Sequence, residues 1–229
     1  MNFGVFTTIK VIHGIPLFFD EHKKRLVSHA RELNFDSVKL TQKDVQDYLQ
    51  KNNLSDCALK ILIEKRDGKT YFSMLIRPLP PAISKGKLIT VPDTRDEKKV
   101  YKTTDRSVNE QAKKIAEEKG AVDALFTNDG MIVESTICNV FSVNDRGEII
   151  TPPLSGKGLQ GIIRNVLMQQ LPVKEAHIPI DTNHPIILTN SLRMVQATHV
   201  DRRRLADGTS LLKQMQTTVE TLEKKQLHE

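Results

Sequence analysis

VYKTTDR at residues 100–106 and VESTICNVF at residues 133–141 are the two segments that decide the fold of this 229-residue chain. The first contains Lys102 and the second contains Glu134. A lysine amine can hold an aldehyde as a Schiff base, and a carboxylate can keep a ring nitrogen protonated. The pair therefore predicts a site for an aldehyde cofactor. The competing interpretation is a solvated surface lysine and a glutamate in a structural ion pair.

The composition is that of an ordinary soluble globular protein. Hydrophobic residues make up 38% of the chain, and no apolar stretch approaches the roughly 18 residues that a membrane span needs. The first residues lack the basic and apolar segments of a secretory signal. We therefore expect a cytoplasmic protein that does not bind a membrane.

Charge and cysteine usage exclude two further classes. The net charge is +6, but basic and acidic residues are interleaved except at Arg202-Arg203-Arg204, which we interpret as a solvated loop. No nucleic-acid motif accompanies this triplet, so no nucleic-acid partner is expected. Cys57 and Cys138 lack metal-ligand spacing, as do the histidines. We therefore expect two free thiols and no metal.

Residues 1–93 are predicted to form a small domain that contains both helices and strands. The predicted strands are 3–12, 16–19, 58–64, 70–76 and 88–91. Asp20 is predicted to cap the first helix and Thr41 the second. Asp67-Gly68 has the residue types of a tight hairpin turn between two of the strands.

Residues 100–229 are predicted to form a larger domain, which follows a polar interdomain linker at 94–99. The predicted helices lie at 107–119, 161–171 and 210–225, and the predicted strands at 124–126, 132–134 and 140–143. Lys102 therefore falls just after the linker, and Glu134 lies on a strand.

The order of these motifs resembles that of the class IV aminotransferase family, the fold type IV pyridoxal phosphate enzymes. The resemblance extends from Phe3 to about Val200 and includes HKKRL at 22–26 and LQGIIR at 159–164. It implies an α+β fold of two domains, a small N-terminal α/β sandwich-like unit and a larger C-terminal mixed β-barrel-like unit with helices. It also implies that pyridoxal 5'-phosphate lies between the two domains, and that the enzyme is a homodimer.

The resemblance assigns roles to Lys102 and Glu134. It implies that Lys102 carries the Schiff base and moves protons at the substrate, and that Glu134 pairs with the pyridine nitrogen. A protonated ring nitrogen keeps the ring a strong electron acceptor. Thr136 and Asn139 match family positions that support this strand and the cofactor.

A phosphate site is the second implication of the resemblance. Arg25 of the HKKRL motif matches the family's phosphate-binding arginine, and Ser191 matches a hydroxyl residue in a late loop. Gly161 opens a predicted helix, so the amides of Ile162 and Ile163 would point at an anion with the help of the helix dipole. A glycine at a helix start is also a common cap.

Three details favour 4-amino-4-deoxychorismate lyase within the family. They are Phe6-Thr7-Thr8, the KTTDR sequence at 102–106, and Ser107 at the position where branched-chain transaminases have a tyrosine. The predicted reaction releases pyruvate and gives 4-aminobenzoate, a step of folate biosynthesis. The candidates for substrate contact are Thr7, Arg77, Arg95 and Arg106.

Two alternatives to the lyase stay open. A branched-chain or D-amino-acid transaminase would use the same groups around the cofactor, in a site that accepts two substrates in turn. Family members usually have a further strand and turn before the segment that starts here at Phe3-Gly4. A non-catalytic cofactor-binding protein is therefore the third interpretation.

Overall fold

The computed structural model describes residues 3–36, 39–154 and 158–228. The chain divides into two compact units. Unit 1 is drawn from Met1–Pro81, Tyr101–Asp105 and Thr221–Glu229, and unit 2 from Ala82–Val100 and Arg106–Glu220. Both units combine helices with a β-sheet, so the predicted α+β class is confirmed.

Unit 1 is built on a four-stranded antiparallel sheet and two helices. The strands are β1 Gly4–Ile12, β2 Ile15–Pro16, β3 Cys57–Arg66 and β4 Lys69–Arg77, and the helices are α1 Phe19–Glu32 and α2 Gln42–Lys51. The order in the sheet is β2-β1-β3-β4. Side chains alternate between the two faces of a strand, and one face contributes to a core that includes Val5, Ile9, Leu59, Ile61, Leu26 and Leu49.

The two helix starts of unit 1 had different outcomes. Thr41 forms the predicted cap: its hydroxyl accepts from the Asp44 amide, and the Asp44 carboxylate accepts from the Thr41 amide. Asp20 is not the cap of α1, because the helix already begins at Phe19 after Phe18 in a left-handed conformation. The rings of Phe18 and Phe19 are both buried. Two buried aromatic rings, and no capping side chain, therefore mark the start of α1.

Residues 101–105 add a short extended segment beside β1. The Phe6 amide donates to the Lys102 carbonyl oxygen at 2.9 Å, and the Thr104 amide donates to the Gly4 carbonyl oxygen at 2.8 Å. Val5 and Thr103 face each other as an antiparallel bridge. Lys102 is therefore held by the backbone of the first strand, although it lies far from that strand in the sequence.

Unit 2 contains a mixed ten-stranded sheet. Its strands are β5 Lys85–Pro92, β6 Asp123–Asn128, β7 Met131–Ser135, β8 Asn139–Val143, β9 Ile149–Thr151, β10 Lys174–Glu175, β11 Ile178–Pro179, β12 Ile187–Thr189, β13 Met194–Val200 and β14 Arg203–Arg204. The order is β10-β9-β8-β12-β13-β5-β6-β7-β11, and β14 pairs with β13. The helices are α3 Ser107–Glu118, α4 Ile162–Gln170 and α5 Thr209–His228, whose last residues, from Thr221, belong to unit 1. No helix in the described ranges is long and apolar enough to cross a membrane.

Strand β5 and the predicted linker segment 94–99 both lie in unit 2. Strand β5 belongs to unit 2 because it pairs in parallel with both β6 and β13. The segment 94–99, which we predicted as a polar linker, includes Arg95, whose side chain is only 7% exposed. The domain boundary at 94–99 stays a prediction. The polar composition of this segment does not reflect exposure to solvent.

Candidate active site

Lys102 is fixed in unit 1 by its own backbone and by a histidine. Its amide donates to Nδ1 of His29 at 3.1 Å, and its ammonium lies 4.9 Å from the centre of the Phe6 ring. Burial, and then the charge of Arg25, lower the pKa of His29 to about 4. A neutral imidazole is what this contact requires, because Nδ1 has to accept the hydrogen bond. The position of Lys102 therefore depends on α1 as well as on β1.

Arg25 lies in a buried polar cluster of the same unit. Its Nη2 donates to Oγ1 of Thr7 at 3.1 Å, and that hydroxyl lies 2.6 Å from Nδ1 of His22. Burial lowers the pKa of Arg25 to about 10. Burial, followed by the charges of Arg25 and Lys102, holds the pKa of His22 well below its usual value. Arg25 and Lys102 are therefore the two cations of this cluster, and His22 and His29 are its two neutral imidazoles. This excess of positive charge suits an anionic ligand.

Glu134 is the centre of the polar groups of unit 2. Its side chain is 6% exposed, and Nη1 of Arg95 donates to its Oε1 at 2.7 Å. Its Oε2 accepts from the Leu159 amide at 3.1 Å and from Nδ2 of Asn139 at 3.4 Å. Burial raises the pKa of Glu134, and the opposing effect of Arg95 does not cancel this shift. Each further hydrogen-bond donor to Glu134 would therefore stabilise its ionised form.

Thr136 and Asn139 hold the loop that follows Glu134. The Thr136 hydroxyl donates to the buried Asp123 carboxylate, which also accepts from Ser135 at 2.9 Å. Asn139 donates both to Glu134 and to the Leu159 carbonyl oxygen, the latter at 2.8 Å. Asn139 thus orients the carboxylate directly. Thr136 acts indirectly, because its bond to Asp123 holds the turn that follows Glu134.

Two glycines leave room around this carboxylate. A Cβ atom on Gly161 would lie 2.0 Å from Oδ1 of Asn139, and one on Gly158 would lie 3.1 Å from Cδ of Glu134. Contacts this short would displace Asn139 or Glu134. Gly161 is also the N-cap of α4, whose first turn contains the buried residues Ile162 and Ile163. An α-helix leaves its first amides without partners inside the helix, so this end can bind an anion.

The remaining predicted site residues are dispersed over the two units. Ser191 is half-buried in the loop between β12 and β13, where Oδ1 of Asn190 accepts from the two amides that follow Ser191. Arg77 is exposed at the end of β4 in unit 1. Arg106 belongs to unit 2 and donates to the Thr136 carbonyl oxygen at 2.8 Å, and burial lowers its pKa. Arg95 is already bonded to two carboxylates.

Three residues of these clusters, His22, His29 and Asp93, were not predicted from the sequence as site residues. His22 lies in the HKKRL motif and His29 lies two helical turns later on α1, so helical spacing could have linked both to Arg25. Asp93 was assigned to the polar stretch at the domain boundary, and no pattern in the sequence indicates that it is buried.

Taken unit by unit, the two clusters offer groups that can bind an aldehyde, a phosphate and a basic ring nitrogen. A carboxylate offers about four acceptor sites, and three protein donors reach Glu134 among the described residues. One site is therefore left for a ring nitrogen. Lys102 provides an amine, and the half-buried Arg25 provides a positive charge. Over the described residues, no group of three or more His, Cys, Asp or Glu is placed to hold a metal ion.

Known proteins that are similar to this chain include enzymes that use pyridoxal phosphate. Residues 4–199 match the family described as amino-transferase class IV. A D-alanine aminotransferase of Bacillus licheniformis is 25% identical over 246 residues, which are 95% of this chain and 86% of that protein. Among solved structures, one from Legionella pneumophila that is provisionally described as a 4-amino-4-deoxychorismate lyase has a TM-score of 0.86 at 22% identity, and the match covers 96% of this chain and 91% of that chain. A pyridoxal phosphate-bound structure from Mycobacterium tuberculosis, described as that of a hypothetical aminotransferase, has a TM-score of 0.82 at 20% identity, and the match covers 96% of this chain and 88% of that chain.

Proposed function

Because the chain belongs to the class IV aminotransferase family, whose enzymes use pyridoxal 5'-phosphate, we propose that it is a 4-amino-4-deoxychorismate lyase. The reaction converts one substrate molecule into pyruvate and 4-aminobenzoate. The observation that supports the lyase over a transaminase is the segment KTTDRS at 102–107. It has the lyase-type Asp105-Arg106 pair and a serine where branched-chain transaminases have a tyrosine.

Each of the two clusters would hold a different part of the cofactor. Bound pyridoxal phosphate supplies an aldehyde that captures the substrate amine and a ring that accepts electrons from the substrate. Lys102 would hold the aldehyde, and Glu134 would hold a proton at the ring nitrogen. Arg25, the amides of Ile162 and Ile163, and Ser191 would bind the phosphate.

Lys102 would then move the proton on which the reaction depends. Its amine removes the proton from the ring carbon of the substrate that carries the amino group, and the same amine returns a proton to the methylene carbon of the departing enolpyruvyl group. The carbon–oxygen bond to the ring breaks, the ring becomes aromatic and pyruvate leaves, so the protein neither gains nor loses a proton. The substrate carboxylates need cations, for which Arg77 and Arg106 are the candidates that make no ion pair with a carboxylate among the described residues.

A D-amino-acid transaminase is the second candidate. It is favoured by the likeness to the D-alanine aminotransferases, which extends over nine-tenths or more of this chain. The groups around the cofactor would be the same. The difference lies in the second half-reaction, because a transaminase has to accept a 2-oxo acid after the first product leaves. A branched-chain transaminase would differ from it in the side chain and configuration of its substrate.

Formation of 4-aminobenzoate decides between these candidates. We expect the purified protein with pyridoxal phosphate to convert 4-amino-4-deoxychorismate into 4-aminobenzoate, detected by its fluorescence, when no 2-oxo acid is added as a co-substrate. Pyruvate alone is not diagnostic, since transamination of D-alanine also produces it. D-Glutamate formation from D-alanine and 2-oxoglutarate, with no 4-aminobenzoate from the first substrate, would instead establish the transaminase. L-Leucine with 2-oxoglutarate tests the branched-chain activity in the same way.

Replacing Arg25 by methionine should weaken the binding of pyridoxal phosphate by roughly tenfold to a hundredfold, because a charge-assisted hydrogen bond to the phosphate is lost. The matched ligand is pyridoxal, which has no phosphate and should bind the variant and the natural protein equally. The matched variant is Lys24→Met, which removes an exposed charge from the same helix. Both affinities can be measured by titrating the apo protein and following the absorbance. An equal loss for both ligands would contradict the role of Arg25.

We also propose that the protein is a homodimer, as the family resemblance implies, and that it resides in the cytoplasm. Sedimentation equilibrium measures the mass of the protein in solution and so tests the dimer directly. A mass close to the 25.9 kDa of a single chain would contradict it.

A further inference from the structure

Glu134 lies at the end of a buried row of charges that starts at Asp93. Nε and Nη2 of Arg95 each donate to one oxygen of Asp93 at 2.9 Å, while Nη1 donates to Glu134. The Asp93 side chain is 1% exposed, and it also accepts from Nζ of Lys99 at 3.1 Å. The guanidinium carbon of Arg95 lies 3.9 Å from the centre of the fully buried Phe126 ring. Arg95 is therefore fixed on two edges and one face.

This geometry restricts the direction of the third guanidinium nitrogen. Two parallel hydrogen bonds to one carboxylate fix the plane of an arginine as well as its position. With Nε and Nη2 committed to Asp93, only Nη1 is available for Glu134. Burial alone would raise the pKa of Asp93, but the hydrogen bonds and charge of Arg95, together with Lys99, lower it. Asp93 is therefore an ionised anchor for Arg95.

The donors on Glu134 are distributed unequally between its two oxygens. Oε2 accepts from Asn139 and from the Leu159 amide, and Oε1 accepts from Arg95. Since each carboxylate oxygen has about two acceptor sites, the site that receives no donor from the described residues is on Oε1. Gly158 borders the same oxygen, because a Cβ atom there would lie 3.3 Å from Oε1. The oxygen that Arg95 holds is thus the one with space for a further donor.

We propose that Arg95 is a positioning residue: anchored by Asp93, it keeps Glu134 ionised and directs the open acceptor site of Oε1 toward the ring nitrogen of the cofactor. The inference rests on the proposed function in that it takes Glu134 as the partner of that nitrogen. It also assigns Arg95 a different role from the substrate contact for which the sequence made it a candidate. To bind a substrate carboxylate, Arg95 would have to release Asp93 or Glu134, and each release leaves a buried charge unpaired.

The coupling between Arg95 and Glu134 has a signature in the apo protein. Arg95 lowers a Glu134 pKa that burial has raised, so the change Arg95→Gln should raise this pKa further. A group with a raised acid pKa stabilises the fold below its unfolded pKa and loses that contribution as the pH rises through its folded pKa. The stability lost in Arg95→Gln should therefore be small near pH 4 and larger near pH 7. The other charges that act at this position are Asp93 and Arg106.

A double-mutant cycle isolates the contribution of Glu134. Urea unfolding of the apo proteins is measured from pH 4 to pH 7 for the natural chain, Arg95→Gln, Glu134→Gln and the double variant. Asp93 also loses its partner in Arg95→Gln and acts in the same direction, but this effect is common to both backgrounds. We expect the pH-dependent part of the coupling between positions 95 and 134 to be clearly different from zero. Coupling that is absent, or independent of pH, overturns the inference.

Titration with pyridoxal phosphate separates the charge of Arg95 from its orientation. Arg95→Gln should shift the absorbance maximum of the bound cofactor and weaken binding roughly tenfold to a hundredfold. Arg95→Lys keeps the charge but cannot form the two parallel bonds to Asp93. It should therefore restore most of the pH dependence of stability but not the natural cofactor spectrum. The matched control is Arg66→Gln, which breaks the ion pair of Arg66 with Glu64 in unit 1 and should leave the cofactor titration unchanged.

Failure of the proposed function would look different. If Glu134→Gln leaves the spectrum of bound pyridoxal phosphate unchanged, Glu134 does not contact the ring nitrogen, and the proposed role of Glu134 is wrong. The apo cycle tests the contact between Arg95 and Glu134 without any cofactor. If Arg95→Gln binds the cofactor with natural affinity and spectrum while Glu134→Gln does not, the positioning role of Arg95 is overturned and the role of Glu134 stands.

Discussion

Replacing Lys102 by alanine should abolish covalent attachment of pyridoxal phosphate and reduce turnover by roughly 10⁴-fold or more, since general acid–base catalysis alone contributes up to that factor. Lys102 would hold the aldehyde and would also move the proton at the substrate. Borohydride reduction followed by mass spectrometry should find the cofactor on Lys102 in the natural protein and on no residue of Lys102→Ala.

The matched control for this prediction is Lys60→Ala. The ammonium of Lys60 lies 4.3 Å from the Phe6 ring centre, and that of Lys102 lies 4.9 Å from the same ring. Both lysines therefore share one aromatic neighbour, but only Lys102 is also fixed through its amide by His29. Lys60→Ala should keep both the covalent attachment and the turnover. Reduction that labels Lys60, or an unchanged label in Lys102→Ala, would show that the reactive lysine was assigned wrongly.

The features that were predicted correctly from the sequence depend on local interactions. The Thr41 cap and the turn at Asp67-Gly68 depend on neighbours within a few residues, and the structure contains both, with positive φ angles of 49° and 75° at the turn. These features follow from short-range sterics and hydrogen bonding. For the same reason, the longer helices of the chain were predicted to within a few residues.

Asp93 and Arg95 show why the rest could not be predicted. In the sequence they are two charges in a polar stretch after a strand, which is typical of an exposed linker. They are buried because Arg95 contacts Phe126 of β6 and Glu134 of β7, which are distant from it in the sequence. Contacts between distant segments leave no local pattern. The two-residue strands such as β10 and β14 escaped prediction for the same reason, since their partners alone define them.

His29 illustrates the same limit at the reactive lysine. Its position on α1 is consistent with an ordinary half-exposed helix residue. Only the backbone pairing of residues 101–105 with β1 brings the Lys102 amide to its Nδ1. The motif containing Lys102 thus identifies the reactive group, while the surroundings that orient this group come from unit 1. A substitution on α1 can therefore impair Lys102 without changing the motif.

Replacing Glu134 by glutamine should reduce turnover by roughly 10²- to 10³-fold, the usual cost of removing one preorganised electrostatic group. The amide has nearly the same shape as the carboxylate, so the covalent attachment to Lys102 should persist. What is lost is the negative charge that keeps a proton on the ring nitrogen, and without this proton the ring accepts electrons less readily. The expected signature is therefore a labelled Lys102 together with slow formation of 4-aminobenzoate and a shifted absorbance maximum.

Glu148→Gln is the matched control, because it makes the same chemical change in unit 2 at a residue that pairs with Lys174 and Asn144 and whose pKa is lowered by those hydrogen bonds. It should leave turnover and spectrum unchanged. The buried Glu134 differs from it in having a raised pKa, one acceptor site that no described residue fills, and a guanidinium partner that is itself anchored. If Glu134→Gln turns over at the natural rate, the buried carboxylate serves the fold alone, and the row of charges behind it would have to be explained as packing of the sheet.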